Sequence, residues 1–344
     1  MTFSVPAVPV PSHTMISVVV VNWNRRELLR ACLTSLGRQE CACFETIVVD
    51  NGSGDGSADM AEREFGARVI RNRENRGFCA ANNQGISAAR GELIALLNND
   101  AEAEPGWLAA LARVFDERDG VGMAASKILV YEDPSRIDKA GHLIWPDGQN
   151  RGRGTGAVDC GQFDRMEEAL WPDGCAAMYR KKMLDEIGGF DEDFFAYGDD
   201  AELGLRARIA GWQCLYVPDA VVRHRRGATL GLDSARRLEL IERNRVLLAA
   251  KLFPWRLLWL NGPYYLARIA AGMRASHQGS GDVARFTGAA GKWKVARALL
   301  TGDLQALAML PRMFRKRGEV VRRLSGREVC ELLRRYRAPL RDLV

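Results

Sequence analysis

Long uncharged apolar stretches are missing from this chain of 344 residues. No window of about 18 such residues occurs, so no helix is expected to span a membrane. The most apolar stretch, residues 246–271, is interrupted by Lys251, Arg256 and Arg268. Residues 1–14 contain three prolines and no apolar core of signal-peptide length, which predicts a loose leader on a cytoplasmic protein.

Paired cysteines and an activated nucleophile are also absent. The eight cysteines are scattered without a C-x-x-C pair, which favours free thiols in a reducing compartment. No serine or cysteine has an evident base partner, so a covalent enzyme intermediate is not expected. The sequence therefore points away from disulfide scaffolds and from nucleophilic hydrolases.

A complete dinucleotide-binding motif is absent as well. The segment from Asp50 to Ser57 reads Asp-Asn-Gly-Ser-Gly-Asp-Gly-Ser, with Ser57 where the third glycine of G-x-G-x-x-G belongs. Asp50 would also repel a pyrophosphate, although a carboxylate there can accept hydrogen bonds from a nucleobase or ribose. An ordinary turn is the alternative interpretation, because Asn-Gly and Asp-Gly are common turn sequences.

Three apolar runs are present, and each ends at polar residues. They cover residues 16–21, 46–49 and 93–97, a pattern typical of strands buried on both faces of a parallel sheet. Ligands of such sheets bind outside the carboxyl ends of the strands. We therefore expect one crevice, suited to a nucleotide and a hard cation, that gathers Asn22, Asn24, Asp50, Asn51 and Asp100.

Helical patterns alternate with these strands, which predicts an α/β fold with a mainly parallel sheet. The predicted helices cover residues 26–36, 57–65, 79–90 and 107–115. Two further strands are predicted near residues 122–125 and 175–179, with a glycine-rich loop at 146–161. Helices are then predicted at 234–252, 255–275, 292–300, 304–316 and 326–336. We predict a leader (1–14), a catalytic domain (15–232) and a helical C-terminal region (233–344).

A second acidic constellation follows an aromatic segment. Asp199 and Asp200 come directly after Phe-Phe-Ala-Tyr-Gly and start a predicted helix that ends at Gly211. Helix capping explains one acid, but two adjacent acids make a general base plausible. His224 lies among arginines and is either a surface residue or, if the fold brings it to Asp100, a metal ligand.

The C-terminal region combines positive charge with an aromatic stripe. From residue 312 onward, eleven basic residues oppose four acids. Trp255, Leu258, Trp259, Tyr265 or Leu266, and Ile269 are predicted to share one helical face, with Arg256 and Arg268 beside it. Such a face predicts peripheral contact with a membrane, and the alternatives are a homodimer interface or packing on the catalytic domain.

Motifs in this order resemble glycosyltransferase family 2, and most closely its bacterial rhamnosyltransferase-like branch. The resemblance covers roughly residues 16–250. It is carried by Val-Val-Asn22-Trp-Asn24, Val-Val-Asp50-Asn51-Gly-Ser53, Asn75-Arg-Gly77-Phe, Leu-Leu-Asn98-Asn99-Asp100, Gly174-Cys-Ala-Ala-Met, Gly188-Gly-Phe-Asp191, Asp199-Asp200 and His224.

The resemblance implies a GT-A fold, a divalent cation (Mg²⁺ or Mn²⁺) and inversion at the sugar. It implies a dTDP- or UDP-sugar donor, a glycan or lipid-linked saccharide acceptor in surface-polysaccharide synthesis, and no nucleic-acid partner. Asp200 would be the general base with Asp199 beside it, and Asp100 and His224 would hold the metal. The donor would contact Asn22, Asn24, Asp50, Asn51, Ser53, Asn75, Gly77, Asn98, Asn99 and Gly174.

This sequence departs from the family pattern at two motifs. The metal motif begins with Asn98-Asn99 instead of an acid, and the base motif reads Asp-Asp instead of Glu-Asp. The Gln-x-x-Arg-Trp signature of processive synthases is missing, so addition of a single sugar is expected. A sugar-1-phosphate nucleotidyltransferase and an inactive glycan-binding scaffold are the alternatives.

Overall fold

The computed structural model describes residues 15–41, 43–116, 118–227, 234–277 and 288–343. The expected leader and the expected boundary at residues 232 and 233 lie outside these ranges. Within them, the chain forms a large central sheet flanked by helices, followed by a group of C-terminal helices.

The first half of the sheet is parallel, because its strands are connected through helices. It contains β1 (Ile16–Asn22), β2 (Phe44–Asp50), β3 (Arg68–Arg71) and β4 (Leu93–Leu97). Strand β1 lies between β2 and β4, and β2 pairs with β3. The three predicted apolar strands are therefore confirmed, and their carboxyl ends meet at one edge.

The second half of the sheet is mixed. Its strands are β5 (Ala101–Ala103), β6 (Val121–Val130), β7 (Ile137–Lys139), β10 (Glu167–Ala169), β11 (Ala176–Arg180) and β12 (Gln213–His224). Strand β11 runs antiparallel between β4 and β6, whereas β12 runs parallel to β6. A separate hairpin pairs β8 (His142–Ile144) with β9 (Asn150–Gly152). Part of the predicted glycine-rich loop at 146–161 is thus strand.

Helices cover both faces of the sheet. They are α1 (Arg26–Leu36), α2 (Ser57–Phe65), α3 (Gly77–Ala88), α4 (Trp107–Asp116), α5 (Lys181–Ile187) and α6 (Asp199–Ile209). Apolar side chains of alternate strand residues form a separate core on each face. Helices α1 and α2 have the bounds predicted from the sequence, because each carries a clear apolar stripe beside polar ends.

The C-terminal helices differ from the prediction at two breaks. They are α7 (Ala235–Leu252), α8 (Trp255–Trp259), α9 (Asn261–His277), α10 (Gly288–Arg317) and α11 (Gly326–Arg335). The helix predicted at 255–275 is interrupted at Leu260, and the two predicted at 292–316 are one helix. Gly302 lies between the two predicted helices and lets α10 approach α7, because a Cβ at Gly302 would lie 2.6 Å from the carbonyl oxygen of Glu239.

The predicted single aromatic stripe is wrong. Trp259 and Leu266 are exposed by 85% and 66%, whereas Tyr265 turns inward and donates a hydrogen bond to Asp303 (3.0 Å). Arg268 does not flank a lipid-facing surface, because it is largely buried against Asp147 (2.6 Å) and Glu242. The interruption at Leu260 separates the two halves of the expected stripe.

The basic segment from residue 312 onward has fewer cations available for an outside partner than its charge suggests. Many of its cations form ion pairs within the chain: Arg312 with Asp193, Lys316 with Asp191 and Asp193, Arg323 with Glu186, Arg327 with Glu331, Arg335 with Glu168, and Arg341 with Asp342. No helix in the described ranges is long and apolar enough to cross a bilayer.

A buried ion cluster joins α6 to the C-terminal helices. The Lys251 ammonium of α7 lies 2.6 Å from Asp191 and 2.7 Å from Glu202 of α6. Lys316 of α10 also contacts Asp191, and Arg206 pairs with Glu202 at 2.8 Å. Burial raises the pKa of Asp191, but the two lysines outweigh it and lower the pKa to about 2.

Candidate active site

The carboxyl ends of β1 and β2 carry a network of amide and carboxylate side chains. The Asn22 amide donates to Asp50 (3.4 Å) and Ser53 (3.3 Å), and it accepts from Asn99 (2.7 Å). The Asn24 side-chain oxygen accepts from the backbone N–H of Gly54 at 2.8 Å. The fold therefore brings these predicted residues together, as expected from adjacent parallel strands.

A second polar group lies at the start of α3. The Asn51 amide donates to Asn75 (3.2 Å) and to the carbonyl of Gly77 (3.1 Å). Gly77 has φ +84°, and a Cβ there would lie 2.5 Å from the Phe195 ring. Only glycine fits this position, where the backbone turns into the helix beside the crevice.

Asp100 and His224 meet because β5 pairs with the end of β12. The antiparallel register places His224 opposite Ala101, the residue after Asp100. The Nε2 atom of His224 lies 3.5 Å from Oδ1 of Asp100. That oxygen is buried and has no hydrogen-bond partner among the described residues, so it is free to ligate a cation.

Asp138 supports His224 from the side opposite Asp100. Its Oδ2 lies 2.7 Å from Nδ1 of His224, and its Oδ1 lies 3.0 Å from Arg226. Burial lowers the pKa of His224, but Cys175, Asp100 and Asp138 outweigh it and hold the pKa well above its usual value. A carboxylate bound to the far nitrogen is the usual support of a metal-binding histidine. The residues present therefore fit a divalent cation at Asp100 and His224.

Asp199 and Asp200 begin α6 and both line the crevice. Oδ2 of Asp200 accepts from the N–H of Gly174 (3.3 Å) and lies 3.5 Å from Nε2 of His142. Burial raises the pKa of Asp200, and His142 partly opposes the shift. The Asp199 pKa is raised well above its usual value by burial and by Asp200.

Three residues beside Asp200 were not predicted from the sequence. His142 Nε2 lies 2.9 Å from Asp173, and Lys139 also pairs with Asp173. His142, Asp173 and Asp200 could together ligate a metal, but the Lys139 ammonium already neutralises Asp173. The position of Asp173 directly before Gly174, within a predicted motif, was the available signal.

A cavity of about 860 Å³ joins most of these groups. Ten of the predicted residues line it: Asn51, Asn75, Gly77, Asn98, Asn99, Asp100, Gly174, Asp199, Asp200 and His224. Asn22, Asn24, Asp50 and Ser53 are not part of this lining and are linked to one another by hydrogen bonds. Such a size is near the upper end of the range for one small-molecule site.

A family model described as glycosyl transferase family 2 matches residues 17–188, half of the chain. The chain belongs to this family. The match includes β1 to β11 and therefore the Asp100 motif, Asp138, His142 and Asp173, while Asp200 and His224 follow it.

Individual relatives are distant. The N-acetylglucosaminyl-diphospho-decaprenol L-rhamnosyltransferase of Mycobacterium tuberculosis H37Rv is 28% identical over 251 residues, which cover 65% of this chain and 80% of the relative. An uncharacterised protein of Sinorhizobium fredii is 29% identical over 245 residues, 65% of this chain. This chain spans only 26% of that longer relative.

The solved structure of GalNAc-T7 with UDP, GalNAc and Mn²⁺ superimposes with a TM-score of 0.58 at 16% identity. The match covers 76% of this chain and 51% of that one. The expected GT-A fold is confirmed, with a mixed rather than uniformly parallel sheet.

Proposed function

We propose that this family 2 enzyme is an inverting, divalent-cation-dependent glycosyltransferase that adds one sugar. The donor is a dTDP- or UDP-sugar, with a rhamnose-like sugar favoured, and the acceptor is a glycan or lipid-linked saccharide of a bacterial surface polysaccharide. The observation that carries this proposal is the unpartnered Asp100 oxygen beside His224, in the same cavity as Asp200. The mycobacterial rhamnosyltransferase supports the choice of sugar and pathway.

Asp100 and His224 would hold Mg²⁺ or Mn²⁺, with Asp138 orienting the imidazole. A bound cation neutralises the charge that develops on a diphosphate leaving group. Because the His224 pKa is raised, the imidazole must lose a proton before it can ligate. The mixed nitrogen and oxygen donors suit Mn²⁺ better than Mg²⁺.

Asp200 would take the proton of the acceptor hydroxyl. Burial makes its carboxylate a stronger base than an exposed aspartate, and the Gly174 N–H holds its orientation. Attack on the face opposite the diphosphate inverts the sugar in one displacement. Asp199 would remain largely protonated, because two adjacent buried carboxylates cannot both ionise easily.

The donor nucleotide would lie at the carboxyl ends of β1, β2 and β4. Asn51, Asn75, Asn98 and Asn99 line the cavity there, together with the aromatic side chain of Trp23. Asn22, Asn24, Asp50 and Ser53 would fix the loop that receives the base and ribose, a role that stays a prediction.

We also propose a peripheral position on the cytoplasmic face of the inner membrane. The support comes from large apolar side chains exposed on the C-terminal helices: Trp255, Trp259, Leu260, Leu266, Met273, Trp293, Leu300, Leu304, Leu307 and Phe314. Trp259, Leu266 and Trp293 are each more than 60% exposed, and large exposed apolar side chains that form a patch mark interaction sites. A second subunit on the same face stays the alternative prediction.

Nucleotide release from dTDP- and UDP-sugars, with Mn²⁺ and with EDTA, tests the proposal. We expect release to require the cation, and Asp200→Asn to lose about 10²-fold or more in turnover while keeping donor affinity. Asp199→Asn is the matched control and should retain most activity. Near-normal turnover in Asp200→Asn with loss in Asp199→Asn would assign the general base to Asp199 instead. Turnover that is insensitive to EDTA would contradict the proposed role of a divalent cation.

A further inference from the structure

The segment that leads into α6 has a backbone conformation that its residues do not favour. We call residues 194–198, which come directly before Asp199 and Asp200, the 194–198 loop. Phe195 and Tyr197 have φ angles of +63° and +67°, a region that large side chains rarely adopt. Such a conformation persists only where surrounding contacts hold it. The 194–198 loop therefore depends on partners outside itself to keep its shape.

One side chain of α7 supplies three of these contacts. Asn244 is 1% exposed. Its amide nitrogen donates to three carbonyl oxygens of the loop, those of Phe194 (2.9 Å), Ala196 (2.9 Å) and Tyr197 (2.6 Å). An amide nitrogen carries two hydrogens, so at least one hydrogen is shared between two of these carbonyls. Asn244 therefore ties the loop to α7 on either side of Phe195.

Arg243 fixes the orientation of the Asn244 amide. The Nε atom of Arg243 donates to the side-chain oxygen of Asn244 at 2.9 Å. Because a guanidinium only donates, this contact identifies the facing atom as the oxygen and the other as the nitrogen. Arg243 also donates to the carbonyl of Phe194 at 2.8 Å. Both amide hydrogens of Asn244 are engaged by the loop, so they are not available to a ligand, although the residue lines the cavity.

Another carbonyl of the loop contacts the start of α3. The carbonyl of Phe195 accepts from the backbone N–H groups of Phe78 (2.7 Å) and Cys79 (3.2 Å). The Phe195 ring lies against Gly77, whose carbonyl accepts from Asn51. The loop is therefore fixed between α3 and α7, and it leads directly into the acidic pair at the start of α6.

We infer that Asn244 is a positioning residue for Asp200 and that it acts through the 194–198 loop. The inference rests on the proposed function, because it takes Asp200 to be the general base. Asp200 is the second residue of α6, and Gly198, with φ +71°, is the N-cap of this helix. A shift of the loop therefore moves the first turn of α6 and the carboxylate that faces the acceptor hydroxyl. Misplacing a catalytic group by about 1 Å can cost about 10²-fold in rate.

Substitution of Asn244 tests this role. Asn244→Asp keeps the size of the side chain but removes both N–H donors and places a carboxylate oxygen against the loop carbonyls. The kcat for release of nucleotide from saturating dTDP-rhamnose should fall about tenfold or more. Asn244→Ala removes the same donors without adding a charge and should show a similar loss. Asn261→Asp is the matched control, because the Asn261 amide also donates to a backbone carbonyl, that of Asp147 (3.0 Å), but lies outside the cavity lining.

Combination with Asp200→Asn separates positioning from a general structural role. If Asn244 acts through Asp200, then Asn244→Asp has little left to remove once the base is absent, and the further loss should be within about threefold. A general structural role would cost a similar factor in both backgrounds. Equal losses in the two backgrounds would therefore overturn the inference, as would a wild-type kcat in both folded Asn244 variants.

Hydrogen exchange tests the loop contact without any turnover. The backbone N–H groups of Phe78 and Cys79 bond to the loop and not to Asn244, so both Asn244 variants should speed their exchange about fivefold or more. Asn261→Asp should leave this exchange unchanged. Unchanged exchange in the folded Asn244 variants would overturn the inference. Failure of the wild type to release nucleotide, together with faster exchange in the Asn244 variants, would overturn the proposed function alone.

Discussion

If the proposed metal site exists, the charge of Asp138 should control how tightly the protein binds a divalent cation. Asp138 is fully buried and contacts Nδ1 of His224 at 2.7 Å, whereas Nε2 faces Asp100. Asp138→Asn keeps the size of the side chain and removes the charge that fixes the imidazole. Loss of such a supporting carboxylate typically costs 10–100-fold in metal affinity, or about 1.4–2.8 kcal/mol.

Two effects of opposite sign contribute to this value. Removing the charge weakens the orientation and basicity of His224 as a ligand. It also lowers the raised pKa of His224, so that fewer protons compete with the cation near neutral pH. At pH 7 we therefore expect a loss of metal affinity in the lower half of the 10–100-fold range. The loss should be larger at higher pH, where protons no longer compete with the cation for His224.

Calorimetric titration of Mn²⁺ into the apo-protein measures the effect directly. Asp133→Asn is the matched control, because Asp133 is a half-exposed carboxylate of the same segment that pairs with Arg136. It should bind Mn²⁺ like the wild type. A Kd within about threefold of the wild type in a folded Asp138→Asn protein would refute a metal site at His224.

Two further predictions concern stability and membrane contact. Asp191→Asn should lower the free energy of unfolding by about 2–3 kcal/mol at pH 7, because a pKa of about 2 stabilises the fold above the unfolded-state value of about 4. In denaturant titrations the difference in unfolding free energy between wild type and variant should shrink as pH falls from 5 toward 2. A difference that stays constant with pH would contradict the lowered pKa of Asp191. Trp259→Ser combined with Trp293→Ser should reduce vesicle co-sedimentation about tenfold or more, since both indoles are highly exposed. Ionic strength should change the co-sedimentation little, because much of the basic tail forms ion pairs within the chain. Co-sedimentation of the double variant equal to that of the wild type would show that these two tryptophans contact something other than the membrane.

The sequence was most informative where one local pattern decides the structure. Continuous apolar runs predicted β1, β2 and β4, and the polar residues after them do meet at one edge. Helices α1 and α2 were predicted to the residue because their apolar stripes are clear. The Asp100 and His224 pair depended on the family resemblance, since only the β5–β12 pairing brings two residues so distant in sequence together.

Features that arise from long-range packing were not predictable. Asp138, His142 and Asp173 become site residues only because β7, β8 and the segment before β11 converge. A break was predicted between residues 300 and 304, yet Gly302 in that interval lies within α10, and its missing side chain allows α10 to lie against α7. The inward turn of Tyr265 and Arg268 likewise depends on partners far away in sequence.

The buried cluster around Lys251 has a consequence for how this protein can be divided. Asp191 and Glu202 precede β12 in the chain, but the lysines that neutralise them come from α7 and α10. A fragment ending after β12 would lose these counter-ions together with the helices that pack against the two carboxylates, and breaking such buried ion pairs typically costs several kcal/mol. The helix that carries Asp200 would then loosen at its first turn, which also carries Glu202. Deletions or domain exchanges that separate the two halves should therefore inactivate the enzyme even where every residue of the crevice is retained.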